Sequence, residues 1–142
     1  MPVFIADDLE AVAAQLYVEM LKSGYTAVAK FQYLHHNPDG TRFADPAEMT
    51  LRSLNAANDS GIAAMLLPVL YQYSGFGEVP PTDGQCRFTN DVDGYLEIYE
   101  SASGAARKYR NIRVGTAPHS LRAVGVDAIG TVVATIDVDA PV

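Results

Sequence analysis

Residues 62–73 read Ile-Ala-Ala-Met-Leu-Leu-Pro-Val-Leu-Tyr-Gln-Tyr, and the run from Ile62 to Tyr71 is the longest nearly unbroken apolar stretch in the chain. Whether it is helix or strand decides the fold class. Apolar side chains all round imply an element buried on every side. We read it as a buried helix in which Pro68, lacking an N–H and crowding the preceding turn, makes a kink or marks the true start. It is far short of the roughly 20 residues a membrane span needs.

Upstream, two segments carry helix-start chemistry. Asp7-Asp8-Leu9-Glu10 has the form of a capping box. Leu9, Val12, Ala13, Leu16 and Met20 follow at helical spacing, and Lys22 and Gly24 suit the end, so a helix is expected over about 8–22. Asp45-Pro46-Ala47-Glu48 repeats the logic, with Leu51 and Leu54 facing inward and Asp59-Ser60-Gly61 as the stop. Between them, Asn37-Pro38-Asp39-Gly40 suits a type I turn and predicts a short hairpin, with a helical segment over 27–34 as the alternative.

Downstream, Gly75 to Gly84 contains paired prolines and reads as a loop or internal boundary within one domain spanning 1–142. Beyond it, residues 85–90, 95–100, 106–114 and 131–139 are strand-length runs rich in aromatic and β-branched side chains. Asp93-Gly94 predicts a hairpin turn between the first two. The expected fold is therefore α+β: about three helices, mostly in the N-terminal half, packed on an antiparallel sheet, mostly from the C-terminal half.

Charge supplies the clue to a partner. Arg107, Lys108, Arg110, Arg113 and Arg122 fall in a stretch with no Asp or Glu; that stretch is +5 in a chain of formal net charge −7, leaving −12 for the rest. A positive stripe on an acidic body attracts anions or acidic surfaces. A cross-strand register opposing Glu100 to Arg107 and Glu97 to Arg110 would occupy two of these charges. Lys108, Arg113 and Arg122 then remain as partner-binding residues.

Other chemistry is sparse. Thr89 to Glu100 resembles an EF-hand calcium loop, with Asp91, Asp93 and Glu100 as the ligands such a loop would use. Thr89 stands where that loop opens on Asp, and the flanking Pro and Gly oppose the two helices, so a hairpin is the competing reading. His35-His36 diverge on either a strand or a helix and lack any metal-binding spacing. Cys86 is alone, which excludes an internal disulfide, and it reads as a small core or strand residue. No nucleophile elbow or phosphate loop occurs.

Hydrophobic residues make up 49% and charged residues 19%, ordinary for a globular chain. The N-terminus lacks a signal-peptide pattern, so a soluble cytoplasmic or virion protein is expected, with no membrane association. Overall acidity disfavours nucleic acid as a partner. The expectation is a non-enzymatic structural or interaction subunit of an ordered assembly, needing no cofactor or resident metal and oligomerising with other protein subunits. A capsid-associated or connector protein of a phage virion would fit. The alternative is a small enzyme or ligand-binding domain with a pocket for an anionic small molecule held by Arg110, Arg113 and His119.

Overall fold

A computed structural model describes residues 4–136. The elements run α1 (Ala6–Lys22), β1 (Ala27–Gln32), α2 (Glu48–Ser60), β2 (Ala63–Leu70), a 3-10 turn (Asp83–Gln85), α3 (Val92–Ala106), β3 (Ile112–Val114), β4 (Ala117–Pro118) and α4 (Val126–Thr135). Helices and strands alternate, and β2 is the hub. It pairs in parallel with β1 (Phe31 opposite Leu67), with β3 (Met65 opposite Arg113) and with β4 (Leu70 opposite Pro118). The expected antiparallel sheet with three helices is overturned: the sheet is parallel and, among the described residues, four α-helices accompany it.

The apolar run at 62–73 is where the readings part. It forms the central strand, not a buried helix, because a parallel strand flanked on both edges reads as a continuous apolar run. Pro68 is tolerated opposite Gln32, the last residue of β1, so its missing N–H falls at the end of that ladder. On the other edge, Gly115 N donates to Leu66 O at 2.9 Å and His119 N to Leu70 O at 3.0 Å. The Pro68 carbonyl between them accepts from the Tyr95 hydroxyl at 3.0 Å, and that hydroxyl also bonds the buried Thr116 side chain. Tyr95, from α3, thereby fills the break between β3 and β4.

The Asp93-Gly94 hairpin is also corrected. Asp91 caps α3, its side chain accepting from Gly94 N at 2.8 Å, so the pair lies in the first helical turn. Tyr95, Ile98, Tyr99, Ala102 and Ala106 are all buried, at helical spacing, on one face. Residues 85–90 are not strand, and of 106–114 only Ile112–Val114 is. The closing strand expected at 131–139 is helical over 131–135, and its end lies outside the described residues.

The first helix begins two residues earlier than expected. Asp8, not Glu10, reaches back, accepting from Ile5 N at 2.9 Å. Its buried line is Ala6, Leu9, Ala13 and Tyr17, whereas Val12 and Leu16 stay outside. β1 joins β2 rather than a hairpin, although the turn closes as expected, with Gly40 N on Asn37 O at 2.9 Å and Gly40 at φ 83°.

Packing is one-sided. Ala64, Leu66 and Leu70 join residues of α1, α2, α3 and α4 in a single core. The alternate residues point the other way: Ala63, Met65 and Leu67 are half-buried, and Phe31 is 60% exposed. A hollow of about 390 Å³ lies on this face between Ala27, Ala29, Ala63, Met65 and Arg113. Among the described residues no helix is long and apolar enough to cross a membrane.

Candidate functional site

In parallel sheets, groups that follow the strands gather at the carboxyl ends, where side chains from several loops converge and are free of the ladder. Here that edge collects Tyr33, His35 and His36 after β1, Tyr71 after β2, and His119 and Arg122 after β4. Phe88 joins them from the connection between β2 and α3. Tyr33 meets Phe88 edge-on at 6.3 Å between centroids and His119 at 5.8 Å. Tyr71 meets the same two rings at 5.1 and 4.9 Å. Four rings thus form a closed cycle of edge contacts, a geometry favoured by aromatic quadrupoles.

Arg122 completes the cluster. Its guanidinium lies 5.9 Å from the Tyr71 ring centre, and Nη1 donates to Ser74 O at 2.7 Å and more weakly to the Tyr71 hydroxyl at 3.4 Å. It meets no carboxylate among the described residues. Burial holds the His119 imidazole below its ordinary pKa and the Arg122 charge adds to this, both favouring the neutral ring. His119 Nδ1 is 2.9 Å from the Ser120 hydroxyl. A neutral imidazole beside a cation that lacks a counter-charge can bind an anionic molecule and exchange a proton with it.

The paired histidines serve the scaffold. His35 N and His36 N both donate to Arg87 O, at 2.8 and 3.0 Å. His35 Nε2 donates to Val69 O at 3.0 Å and His36 Nε2 to Thr89 O at 3.0 Å. Burial pushes His35 down to about 4, with a smaller contribution from His36, so it is a neutral, fixed ring that pins the end of β1 to β2.

The residues expected to bind a partner are separated. Arg122 is in this cluster. Lys108 is exposed beyond α3, its Nζ 5.7 Å from the Tyr109 ring centre. Arg113, the middle residue of β3, spends Nη1 on the carbonyls of Tyr109, Arg110 and Ile112. The predicted charge pairs do not form; Glu97 bonds Arg42 at 2.8 Å. Of the alternative anion-binding set, only His119 reaches the strand ends. Asp91, Asp93 and Glu100 lie on a helix start and its following turns rather than around a loop, and among the described residues no three His, Cys, Asp or Glu could hold a metal ion. Tyr33 and Phe88 were not singled out by sequence. The signal available was their place just after, or just across from, a parallel strand end.

No family model matches the chain. Over 136 residues, 96% of its length, it is 48% identical to a formimidoylglutamate deiminase from Pseudomonas aeruginosa, of which it spans 30%. A crystal structure of an amidohydrolase from Brucella melitensis superposes with a TM-score of 0.89 at 41% identity, covering 92% of this chain and 29% of that one. A guanine deaminase from C. acetobutylicum, crystallised with guanine in its active site, shares the fold at a TM-score of 0.67 and 19% identity, over 92% of this chain and 27% of that one. These likenesses overturn the expectation of a non-enzymatic virion subunit, because the proteins resembled over nearly the whole chain are enzymes.

Proposed function

We propose that this chain supplies the substrate-recognising end of a hydrolase that cleaves a carbon–nitrogen bond in a small carboxylate-bearing molecule, with a formimidoyl derivative of glutamate as the leading substrate. The carrying observation is the junction of a guanidinium that meets no carboxylate among the described residues, Arg122, and an imidazole, His119, that is itself one of four edge-packed rings at the carboxyl ends of parallel strands. The likeness to a deiminase supports the reaction class.

In this reading the substrate carboxylate lies against Arg122, whose planar fork suits two parallel hydrogen bonds. Tyr33, Tyr71 and Phe88 form the flanks of the site. His119 hydrogen-bonds the reacting C=N group and carries a proton to the departing nitrogen. The net reaction adds water to the imine carbon and releases ammonia, leaving a formamide. The residues named here bind, orient and move a proton; the activation of the attacking water is not assigned to them.

The test is calorimetric titration of the chain with N-formyl-L-glutamate, the product expected of that reaction. Arg122→Ala should weaken binding by at least tenfold and His119→Asn less. Unchanged affinity in Arg122→Ala would end this reading. A second assay, ammonia release from N-formimidoyl-L-glutamate, should show the turnover number falling in His119→Asn and the Michaelis constant rising in Arg122→Lys.

A further inference from the structure

Like Arg87 and Arg113, Arg122 bonds only neutral oxygens among the described residues; what sets it apart is its seat against the Tyr71 ring at the strand ends. Arg52 is enclosed by Asp7, Glu10 and Glu48, and Arg42 bonds Glu97, whereas Arg122 touches only neutral oxygens. Those oxygens engage Nη1 alone; Nε and Nη2 donate to nothing among the described residues. One edge of the guanidinium is pinned and the other is left for an incoming group. Such a half-used fork is preorganised for an anion, since its side-chain entropy is already lost before binding.

The pin comes from the connection after β2. Ser74 is locked by its N–H on Val79 O at 2.9 Å, by its hydroxyl on Pro80 O at 2.9 Å, and by the bridge between Gly75 and Val79. That tight turn forces Gly77 to φ 80° and Glu78 to φ 59°, a left-handed conformation uncommon for a non-glycine residue. Gln85 Nε2 donates to the Tyr71 hydroxyl at 3.1 Å, and the Gln85 Oε1 atom is itself fixed by Thr82 N at 2.8 Å. Gln72 N and Tyr73 N both donate to Ala123 O, at 2.9 and 3.0 Å, tying the backbone beside Arg122 to the end of β2.

We propose that Tyr71 and Gln85, together with the Ser74 carbonyl, are positioning residues that hold Arg122 ready for its carboxylate, so that the 74–85 connection sets the preference for anionic over neutral substrates. This rests on the function proposed above. It predicts that the connection acts on binding only through Arg122.

The experiment is a double-mutant cycle read by titration with glutarate and, as the neutral control, glutaramide. Tyr71→Phe keeps the ring and removes the hydroxyl; Gln85→Ala removes the donor to that hydroxyl from a half-buried loop position, with thermal melts confirming that both fold. Each should weaken glutarate binding threefold to tenfold and leave glutaramide unchanged. In an Arg122→Ala background neither should have a further effect. His119, observed by NMR titration, should titrate higher in Tyr71→Phe as the arginine charge loosens. An equal loss of glutarate binding with and without Arg122 would overturn the proposal, as would wild-type affinity in both loop variants. If Arg122→Ala itself binds glutarate normally, the anion site is absent and the inference falls with it.

Discussion

Lys30 is a half-buried cation with no counter-charge among the described residues, and removing it should stabilise the protein. Its side chain leaves β1 toward α2, where Nζ donates to Ser53 Oγ and to Gln32 Oε1, each at 2.6 Å. Neither acceptor is charged, and burial lowers the amine to about 8 from its usual 10.5. A depression of that size corresponds to about 3 kcal/mol of folded-state preference for the neutral amine. The sign is fixed by linkage. Below about pH 8 the amine is protonated in both states and the folded protein carries the whole penalty. As pH rises, the folded state loses the proton first, the unfolded chain binds more protons, and stability climbs by about 1.4 kcal/mol per pH unit. Tyr17 and Tyr95, which burial raises to about 12, act oppositely but only above the usual tyrosine value of 10. The window from about pH 8 to 10 therefore belongs to Lys30. Lys30→Met leaves Ser53 donating to Gln32 at 3.0 Å and Gln32 donating to Leu34 O at 2.8 Å, so no acceptor is orphaned. The variant should be more stable by about 1–3 kcal/mol at neutral pH, converge with wild type near pH 10, and show a flat profile between. Urea denaturation followed by circular dichroism across this range measures both curves. A flat wild-type profile, or a variant less stable at neutral pH, would refute the reasoning.

Three further outcomes follow from single contacts. Tyr95→Phe removes the hydroxyl bonded to Pro68 O and Thr116 and leaves buried acceptors bare, so the urea midpoint should fall by the equivalent of about 1–3 kcal/mol; a neutral result would mean the strand break closes without it. Arg52→Ala breaks the joint between α1 and α2 made with Asp7 and Glu10, and the pair with Glu48 within α2, and should cost about 1 kcal/mol at low salt, shrinking at high salt; a salt-independent loss would point to packing of the stem instead. Lys108→Glu should leave melting and carboxylate titration unchanged, because Lys108 meets only the Tyr109 ring; we propose that it contacts an acidic protein surface, so light scattering at low ionic strength should show association weakening in this variant.

What could be read from sequence depended on whether the signal was local. The helix start at Asp7–Asp8 was legible because capping chemistry lies within four residues of itself, even where a different acid reaches back. The start expected with Asp45 as cap is corrected, because α2 begins at Glu48 with Ala47 as N-cap and no side-chain cap, and Asp45 closes the preceding turn onto Ala47 N at 2.8 Å. α3 was equally legible in principle. Tyr95, Ile98, Tyr99, Ala102 and Ala106 mark a helical face, but Asp93-Gly94 is also hairpin chemistry, and only the Asp91 bond to Gly94 N separates the two. The apolar run at 62–73 carries no period at all; its strand state comes from β1 and β3 flanking it, which no local pattern contains. The site failed for the same reason. His119 and Arg122 were each noticed, but their nearness to Tyr71 is created by Leu70 pairing with Pro118.

The exposed side of the sheet bears on how far the chain acts alone. Parallel strands ordinarily bury both faces, yet here the helices cover one and leave Phe31 60% and Tyr33 41% exposed on the other. Tyr33 is also a wall of the aromatic cluster, so the open face and the proposed site share a boundary. A polypeptide that covered that face would pass beside Tyr33. The chain spans 27–30% of the relatives it resembles, which leaves ample structure in such proteins to do so. Recognition by Arg122 and His119 is thus a property these residues can hold in themselves, whereas exclusion of water, on which rate depends, requires the covered face.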